Sequence, residues 1–286
     1  MSNVDDAGLL KKMIIRPPSE NLSFEHGMWR PSTVAKVSYP EVGNDACFAV
    51  EDRSYWFRHR NDVIVAAIKR FPPSGPIYDI GGGNGFVSLA MEAAGHSVVL
   101  VEPGSGAANA LRRGVTNVVH GSLEDAAFSP SSIAAVAVFD VVEHVEHEDR
   151  FFKHIHQLLA PSGKVYCTVP AARWLWSEED DLAGHFRRYT PASLRQSFVR
   201  NGFDVEFLSP FFSWLHLPIF AFRTVPYRLG LRRSGSMGTA AVQADHSLPA
   251  ILRPIAETSH RWELNRIRRG DTVPFGTSLL CVGRRS

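Results

Sequence analysis

A glycine-rich segment after a short apolar stretch is the feature that most constrains the fold of this 286-residue chain. Its acid and glycines fit the spacing D-x-G-x-G-x-G, with Asp79, Gly81, Gly83 and Gly85 at the fixed positions. A helix-like run, residues 86–94, comes next. Because glycine accepts positive φ and has no Cβ, such a loop lets the backbone approach a nucleotide-like ligand closely. The segment therefore predicts a strand, a ligand-binding loop and a helix, in that order.

Strand-like and helix-like segments alternate along the chain, which favours βαβ units and a parallel sheet. Strands are predicted near residues 77–80, 97–101, 117–119, 134–140, 164–169, 203–208 and 277–283. Helices are predicted near residues 60–70, 85–94, 105–112, 149–159 and 191–201. Seven strands with helices on both faces make an α/β fold, a Rossmann-like, mostly parallel sheet in a three-layer α/β/α sandwich.

The dinucleotide fingerprint G-x-G-x-x-G is the main alternative for the glycine-rich segment. Gly81 and Gly83 supply its first two glycines, but its third position falls on Phe86. Close helix–strand packing favours glycine or alanine at that third position, so an NAD(P)-dependent oxidoreductase is the weaker interpretation. A plain glycine-rich surface turn also remains open.

The composition excludes several classes of protein. Apolar residues make up 44% and charged residues 21% of the chain, as in ordinary globular proteins. The net charge of +2 gives no reason to expect a nucleic-acid partner. The three cysteines are far apart in sequence and indicate neither a metal site nor a disulfide framework. Without a secretory signal or an apolar window of about 18 residues, a cytoplasmic location is expected.

Further segments resemble the class I S-adenosylmethionine (SAM)-dependent methyltransferases, in particular the ubiquinone-biosynthesis type and the methyltransferase type 11/12 group. Besides the glycine-rich segment, the similar stretches are residues 98–103, 118–124, 135–145, 158–165, 184–190 and 274–280. The similarity covers about residues 50–212 and the last dozen residues. It implies SAM as the cofactor and an antiparallel last strand near the edge of the sheet.

The resemblance assigns cofactor contacts to the tips of the first four strands. The loop that receives the methionine portion of SAM consists of Gly81, Gly82, Gly83 and Gly85, oriented by Asp79, for which a turn or capping role remains open. Glu102 is expected to bind the two ribose hydroxyls, because a carboxylate accepts two hydrogen bonds in a fork. Ser122 and Leu123 are expected beside the adenine. The remaining expected contacts are Pro103, Asp140 and Val141.

Two histidines are candidates for the general base. His144 lies just beyond the fourth strand, and a neutral imidazole near pH 7 suits proton removal. His185 belongs to a segment after the fifth strand that is expected to reach over the acceptor. A packing or capping role for His144 remains open. A cation held by Asp140, Glu143, His144 and His147 is a further alternative, but no metal is expected.

The acceptor is expected to contact aromatic and basic side chains around the same edge of the sheet. These candidates are Tyr55, Trp56, Trp174, Arg187, Arg188 and Tyr189. Core packing is the alternative for the tryptophans and Tyr55. For the residues 187–189 the alternative is a structural latch, in which the arginines pair with the acidic run 178–181 and Tyr189 caps a core.

Four regions are predicted along the chain. Residues 1–45 form an N-terminal extension that is partly disordered or caps the active site. The Rossmann-like, SAM-binding domain spans 46–212, a basic and partly apolar helical insertion spans 213–270, and 271–286 return to the sheet as its last strand. The insertion contains nine arginines and three acidic residues, a net charge of +6.

The resemblance implies methyl transfer from SAM by in-line displacement to a small-molecule, lipid-like or glycan-like acceptor. O-methylation is favoured, because two histidines lie where a hydroxyl would need a base. The alternative is a non-catalytic SAM-fold protein that binds a membrane or another partner. That alternative comes from the insertion, whose residues 211–233 are a candidate for peripheral contact with a membrane. An insertion that packs on the core or on a partner chain, with its arginines solvated, is the favoured alternative, because Pro218 and Pro226 interrupt any long amphipathic helix. The sequence does not predict the oligomeric state.

Overall fold

The computed structural model describes residues 14–32, 47–231 and 252–286. Part of the predicted N-terminal extension and the middle of the insertion therefore lie outside the described residues. The described strands are β1 (Leu22–Glu25), β2 (Met28–Pro31), β3 (Ile77–Ile80), β4 (Val98–Val101), β5 (Val118–Val119), β6 (Ile133–Phe139), β7 (Leu159–Pro170), β8 (Phe203–Phe211) and β9 (Ser278–Arg285). They form one sheet in the order β1-β2-β5-β4-β3-β6-β7-β9-β8.

The sheet is mostly parallel, as predicted. Strands β5, β4, β3, β6 and β7 run parallel to one another. The last strand, β9, lies antiparallel between β7 and β8. This arrangement confirms the inserted antiparallel strand near one edge that the family resemblance implies. The carboxyl ends of β3 to β7 consequently open on one side of the sheet, where parallel α/β sheets bind their ligands.

The predicted number of seven strands is wrong, because an N-terminal hairpin adds β1 and β2. Its two-residue turn uses His26 and Gly27, with φ of 51° and 81°. Two positive φ values suit the type I′ turns that join twisted antiparallel strands. Trp29 in β2 pairs with Val119 and extends the sheet beyond β5. Strands of only four residues show too little periodicity to be recognised in an extension without a sustained pattern.

Helices cover both faces of the sheet. The main ones are α1 (Tyr55–Arg70), α2 (Phe86–Ala93), α3 (Gly106–Arg113), α4 (Leu123–Ala126), α5 (Glu148–Leu158), α6 (Glu178–Ala183) and α7 (Pro191–Arg200). Helices α1 and α2 pack on one face, and α5 and α7 pack on the other. Helix α7 begins and ends as predicted, with the Thr190 side chain accepting a hydrogen bond from the Ser193 backbone N–H and Asn201 as its C-cap.

The described part of the insertion is helical. A 3-10 turn (Ser213–Leu215) leads into α8 (His216–Ile219), a π-helical turn (Phe220–Thr224) and α9 (Val225–Arg228), and the segment ends with α10 (Arg253–Arg269). Leu264 and Ile267 of α10 are buried in the same core cluster as residues of α1. Among the helices described, none combines the length and apolar character that crossing a bilayer requires.

Candidate active site

The sheet brings the expected cofactor residues of four strands to one edge. Glu102, just after β4, accepts hydrogen bonds from the backbone N–H groups of Gly83 (3.0 Å) and Gly104 (2.7 Å). The N–H of Gly121, after β5, donates to the Glu102 carbonyl at 3.1 Å. Loops that are distant in sequence therefore meet at Glu102, two N–H groups at its carboxylate and one at its backbone carbonyl.

The glycine-rich loop has the backbone conformation that its glycines allow. Gly83 has φ of +53°, and a Cβ added there would meet no heavy atom within 4 Å. Open space beside this backbone fits a loop that receives a ligand. Gly85 has φ of +76° and fits for another reason, because a Cβ there would lie 2.8 Å from Ala110 Cβ and 2.7 Å from Val115 Cγ2. Gly83 therefore leaves room for a ligand, whereas Gly85 allows the loop to pack closely against α3.

Asp79 is buried beneath this loop, with 1% of its surface exposed. Its carboxylate accepts a hydrogen bond from the Ser88 hydroxyl at 2.6 Å, which ties β3 to the first turn of α2. Burial raises the pKa of Asp79 to about 6, while the Ser88 hydrogen bond opposes that change. This hydrogen bond fits the turn or capping role that the sequence left open for Asp79, and it also holds the glycine-rich loop in place.

Glu102 fits the ribose-binding role that the resemblance implies. Each carboxylate oxygen accepts one backbone N–H, so further lone pairs stay available for two hydroxyl donors. Burial raises the pKa of the carboxyl, and the two backbone hydrogen bonds oppose this. Pro103 follows directly at the exit of β4.

The expected adenine contacts already have structural roles. The Ser122 side chain accepts a hydrogen bond from the Asp125 N–H, and the Asp125 carboxylate accepts one from the Ser122 N–H, so the pair forms a capping box on α4. Leu123 is 2% exposed and belongs to the core. Because its side chain is buried, Leu123 can contact a ligand mainly through its backbone.

Asp140, at the exit of β6, has a left-handed backbone with φ of +56°. Its carboxylate forms an ion pair with Arg60 of α1 at 2.5 Å. Arg60 also donates to the Phe139 carbonyl at 2.9 Å. The adjacent Val141 lies against the glycine-rich loop, since a Cβ on Gly81 would be 2.8 Å from its Cγ2. Arg60 therefore holds the tip of β6 beside that loop.

Sequence reasoning missed Arg60, which stands beside Arg58 and His59 in a polar run. The structure buries Arg60, at 8% exposure. The missed signal was its helical spacing. Arg60 precedes Val63, Ile64 and Ala67 by three, four and seven residues, which places it on the apolar stripe of α1.

The two candidate histidines lie side by side at the end of β6. The ring centroids of His144 and His185 are 4.7 Å apart. Burial, together with the neighbouring His185, lowers the pKa of His144 to about 4. Glu143 is 1% exposed, and burial raises its pKa well above the usual range. His144 is therefore neutral near pH 7.

The two histidines also belong to a possible metal-binding cluster. Glu143, His144 and His185 each offer one ligand atom, and these atoms lie within 4.8 Å of one another. This is the set of described residues with the geometry to hold a metal ion. It differs from the alternative considered from sequence, because His185 takes part while Asp140 and the exposed His147 do not. The absence of a metal requirement remains a prediction.

The residues 187–189 are engaged within the protein. Arg188 is buried and forms a two-point ion pair with Asp180, at 2.7 Å and 2.9 Å. Arg187 donates to the Glu146 carbonyl at 2.7 Å, and the Tyr189 hydroxyl donates to Glu148 at 2.6 Å. Arg188 therefore matches the latch alternative, whereas Arg187 pairs outside the acidic run 178–181, with Glu146 and Glu148. The expected role of the three residues in holding an acceptor therefore has no support from their contacts.

The three aromatic candidates separate into two groups. Tyr55 donates to the Ala256 carbonyl at 2.7 Å, and Trp56 stacks on Phe212 with centroids 5.5 Å apart. Both pack between α1 and the insertion, which matches the packing alternative. Trp174 is 47% exposed and stacks on His216 at 5.8 Å. It is the most exposed of these three candidates, since Tyr55 and Trp56 are only partly exposed.

Comparison with known proteins agrees with this geometry. A family model described as a methyltransferase domain matches residues 55–207, more than half of the chain. A protein described as a probable S-adenosylmethionine-dependent methyltransferase, from Mycolicibacterium smegmatis, is 22% identical over 183 residues, which cover 63% of this chain and 71% of that protein.

Two solved structures share the fold. A Haloferax volcanii methyltransferase in complex with the Trm112 methyltransferase activator superposes with a TM-score of 0.51 at 17% identity, covering 86% of this chain and 96% of that one. Phosphoethanolamine N-methyltransferase 2 of Haemonchus contortus, in complex with SAM, gives a TM-score of 0.52 at 18% identity, covering 90% of this chain and 61% of that one. At these identities the likeness concerns the fold alone. The family match over residues 55–207 goes further, and this chain belongs to the SAM-dependent methyltransferases of class I.

Proposed function

We propose that this methyltransferase moves the methyl group of SAM to a hydroxyl oxygen of a small-molecule or lipid-like acceptor bound beside His144 and His185. SAM supplies an electrophilic methyl carbon. The observation that carries the proposal is the pair of histidine rings, 4.7 Å apart, at the exit of β6. A hydroxyl acceptor has to lose a proton, and a neutral imidazole is suited to take it.

The protein residues have three tasks in this proposal. Gly83 and its neighbours leave room for the donor, and Glu102 accepts hydrogen bonds from the ribose hydroxyls. Asp140, fixed by Arg60, lies at the end of β6 where donor and acceptor meet. The acceptor oxygen forms a bond to the methyl carbon as the carbon–sulfur bond breaks, and the hydroxyl proton passes to a histidine. The positive charge of the sulfonium thus ends on an imidazolium.

Transfer of labelled methyl from SAM into an acceptor from cell extract tests the reaction, and Gly83→Arg tests the site. We expect Gly83→Arg to lose SAM binding in calorimetry, because the long side chain enters the open space beside the loop. Gly95→Arg is the matched control, since Gly95 also has positive φ and open space but lies on the surface beyond α2. Undiminished SAM affinity in Gly83→Arg would defeat the assignment.

We also propose that the insertion contacts a lipid surface without crossing it. Four large apolar side chains between residues 216 and 231 are highly exposed: Leu217 at 77%, Phe222 at 70%, Leu229 at 69% and Leu231 at 64%. No acidic residue occurs between Glu206 and Asp245 in the sequence. Exposed apolar side chains in a segment without acids suit the interface of an anionic membrane. Such contact would also place a lipid-like acceptor near the enzyme.

A further inference from the structure

Asp180 is a buried carboxylate that contacts the Nδ1 atom of His185 at 2.8 Å. It belongs to α6, which begins with four successive acidic residues, and it is the one of the four that is buried, at 1% exposure. A buried acid in an otherwise solvated acidic run needs a physical reason. Its hydrogen-bond partners supply that reason.

The carboxylate of Asp180 accepts hydrogen bonds from several donors at once. One oxygen accepts from His185 Nδ1 at 2.8 Å and from Arg188 Nε at 2.7 Å. The other accepts from Arg188 Nη2 at 2.9 Å and from the Ser177 N–H at 2.9 Å. The His185 and Arg188 bonds lower the pKa of Asp180 despite its burial. The group is therefore an ionised carboxylate, which only accepts hydrogen bonds.

An ionised acceptor determines which nitrogen of His185 carries the proton. The bond at 2.8 Å requires a proton on Nδ1, so a neutral His185 has its lone pair on Nε2. The backbone on both sides of the ring is also held, because the His185 N–H donates to the Asp180 carbonyl at 2.9 Å and the Phe186 N–H donates to the Glu143 carbonyl at 2.8 Å. His185 consequently stands at the exit of β6 in one orientation and one tautomer.

We propose that Asp180 is a positioning residue that holds His185 as the Nδ1–H tautomer and so makes His185 Nε2 the acceptor of the substrate proton. The last part rests on the function proposed above. The proton leaves the acceptor hydroxyl, the imidazolium forms on His185, and the Asp180 carboxylate remains 2.8 Å from its Nδ1–H.

The charged groups around His185 define how Asp180 acts. Arg188 forms a two-point ion pair with the same carboxylate, so much of the negative charge at Asp180 is compensated. His144 faces the ring from the other side, with Glu143 next to it. Orientation and tautomer, rather than charge alone, are therefore the expected contribution of Asp180.

The test is nitrogen NMR of protein labelled with 15N at histidine, with His185 assigned by the signal lost in His185→Gln. In the wild-type protein near pH 8 we expect a protonated Nδ1 and an unprotonated Nε2. In Asp180→Asn the amide oxygen should take the position that accepts from Arg188 Nη2 and the Ser177 N–H, which places the amide N–H₂ beside His185 Nδ1 at the cost of the Arg188 Nε bond and moves the His185 proton to Nε2. Methyl transfer should then fall by about a hundredfold or more, by analogy with the loss seen when a triad Asp becomes Asn.

Controls separate this role from a structural one. SAM affinity in Asp180→Asn should stay within about twofold of wild type, and Asp181→Asn, a change at an exposed neighbour on α6, should keep both the tautomer and the transfer rate. An Nε2–H tautomer in the wild-type protein would overturn the proposal without any variant. A flipped tautomer with full transfer activity would overturn the positioning role. Wild-type protein that transfers no label would instead defeat the proposed function, while an Nδ1–H signal would still support the tautomer assignment.

Discussion

Arg60 is the buried cation around which the acids of the site are arranged. It pairs directly with Asp140 at 2.5 Å. Its charge also opposes the raised pKa of Asp79, Glu51 and Glu143. Carboxylates gathered at the ends of parallel strands repel one another, and a buried guanidinium compensates that repulsion while supplying several hydrogen-bond donors.

Asp79→Asn should make the protein less sensitive to pH. Because burial raises the pKa of Asp79 from 3.8 to about 6, its protonated form stabilises the fold fully below pH 3.8, and this contribution is lost as the pH rises through 6. The shift corresponds to about 3 kcal/mol. We expect the stability of Asp79→Asn relative to wild type to increase by about 2 kcal/mol between pH 4 and pH 8, measured by urea unfolding.

Asp52→Asn is the control for this experiment, because the side chain of Asp52 is 71% exposed. Its stability relative to wild type should barely change over the same range. An Asp79→Asn difference that stays constant with pH, or that falls as the pH rises, would show that the buried carboxyl is not the source of the effect.

Helix α10 is attached to the domain by one buried carboxylate. Glu263 is fully buried and accepts hydrogen bonds from the N–H groups of Phe212 (2.9 Å) and Ser213 (2.7 Å) at the end of β8. It also contacts His59 Nε2 of α1 at 2.6 Å. These partners lower the pKa of Glu263 despite its burial. Three elements therefore meet at this side chain.

Glu263→Ala should destabilise the protein by about 3–5 kcal/mol, because it leaves several buried donors without an acceptor. Thermal and urea unfolding would measure the loss. Glu257→Ala, on the same helix but exposed, should change the stability by less than about 0.5 kcal/mol. Equal effects of the two substitutions would refute the anchoring role of Glu263.

The molecule as a whole combines an ordinary methyltransferase sheet with an exposed apolar segment. The exposed side chains of residues 216–231 lie in the insertion between β8 and β9, the antiparallel strands that end the sheet. The insertion therefore adds a surface without interrupting the parallel strands that hold the cofactor site. The lipid contact proposed for this surface and methyl transfer at the strand ends should therefore be separable by mutation.

The double variant Leu217→Ser, Phe222→Ser should weaken co-sedimentation with vesicles of anionic phospholipid by about tenfold or more. Full burial of one such apolar side chain is worth about 1.5–3 kcal/mol. Partial insertion into a membrane interface gains a fraction of that free energy, and the serine variants lose it. Calorimetry should show unchanged SAM affinity. Val199→Ser is the control, since Val199 is 59% exposed but lies on α7. Sedimentation equal to wild type in the double variant would exclude this surface.

The alternation of strands and helices, the glycine-rich loop and the caps of α7 could all be predicted, because each depends on residues close together in sequence. The inserted antiparallel strand came from family resemblance. The β1–β2 hairpin was missed, since its short strands are stabilised by an edge of the sheet that is formed some 90 residues later.

Periodicity and spacing along the chain were thus sufficient for the fold class and the glycine-rich loop, and the family resemblance supplied SAM and the two histidines as candidates. Folding alone settled which side chains meet, because burial and pairing depend on contacts across long separations. Arg60 reaches the Phe139 carbonyl over 79 positions, and His59 reaches Glu263 over 204 positions. Such contacts pair Arg188 with Asp180 and Tyr189 with Glu148, and they place an ionised Asp180 against the His185 ring. A charge buried in the protein persists only where partners surround it.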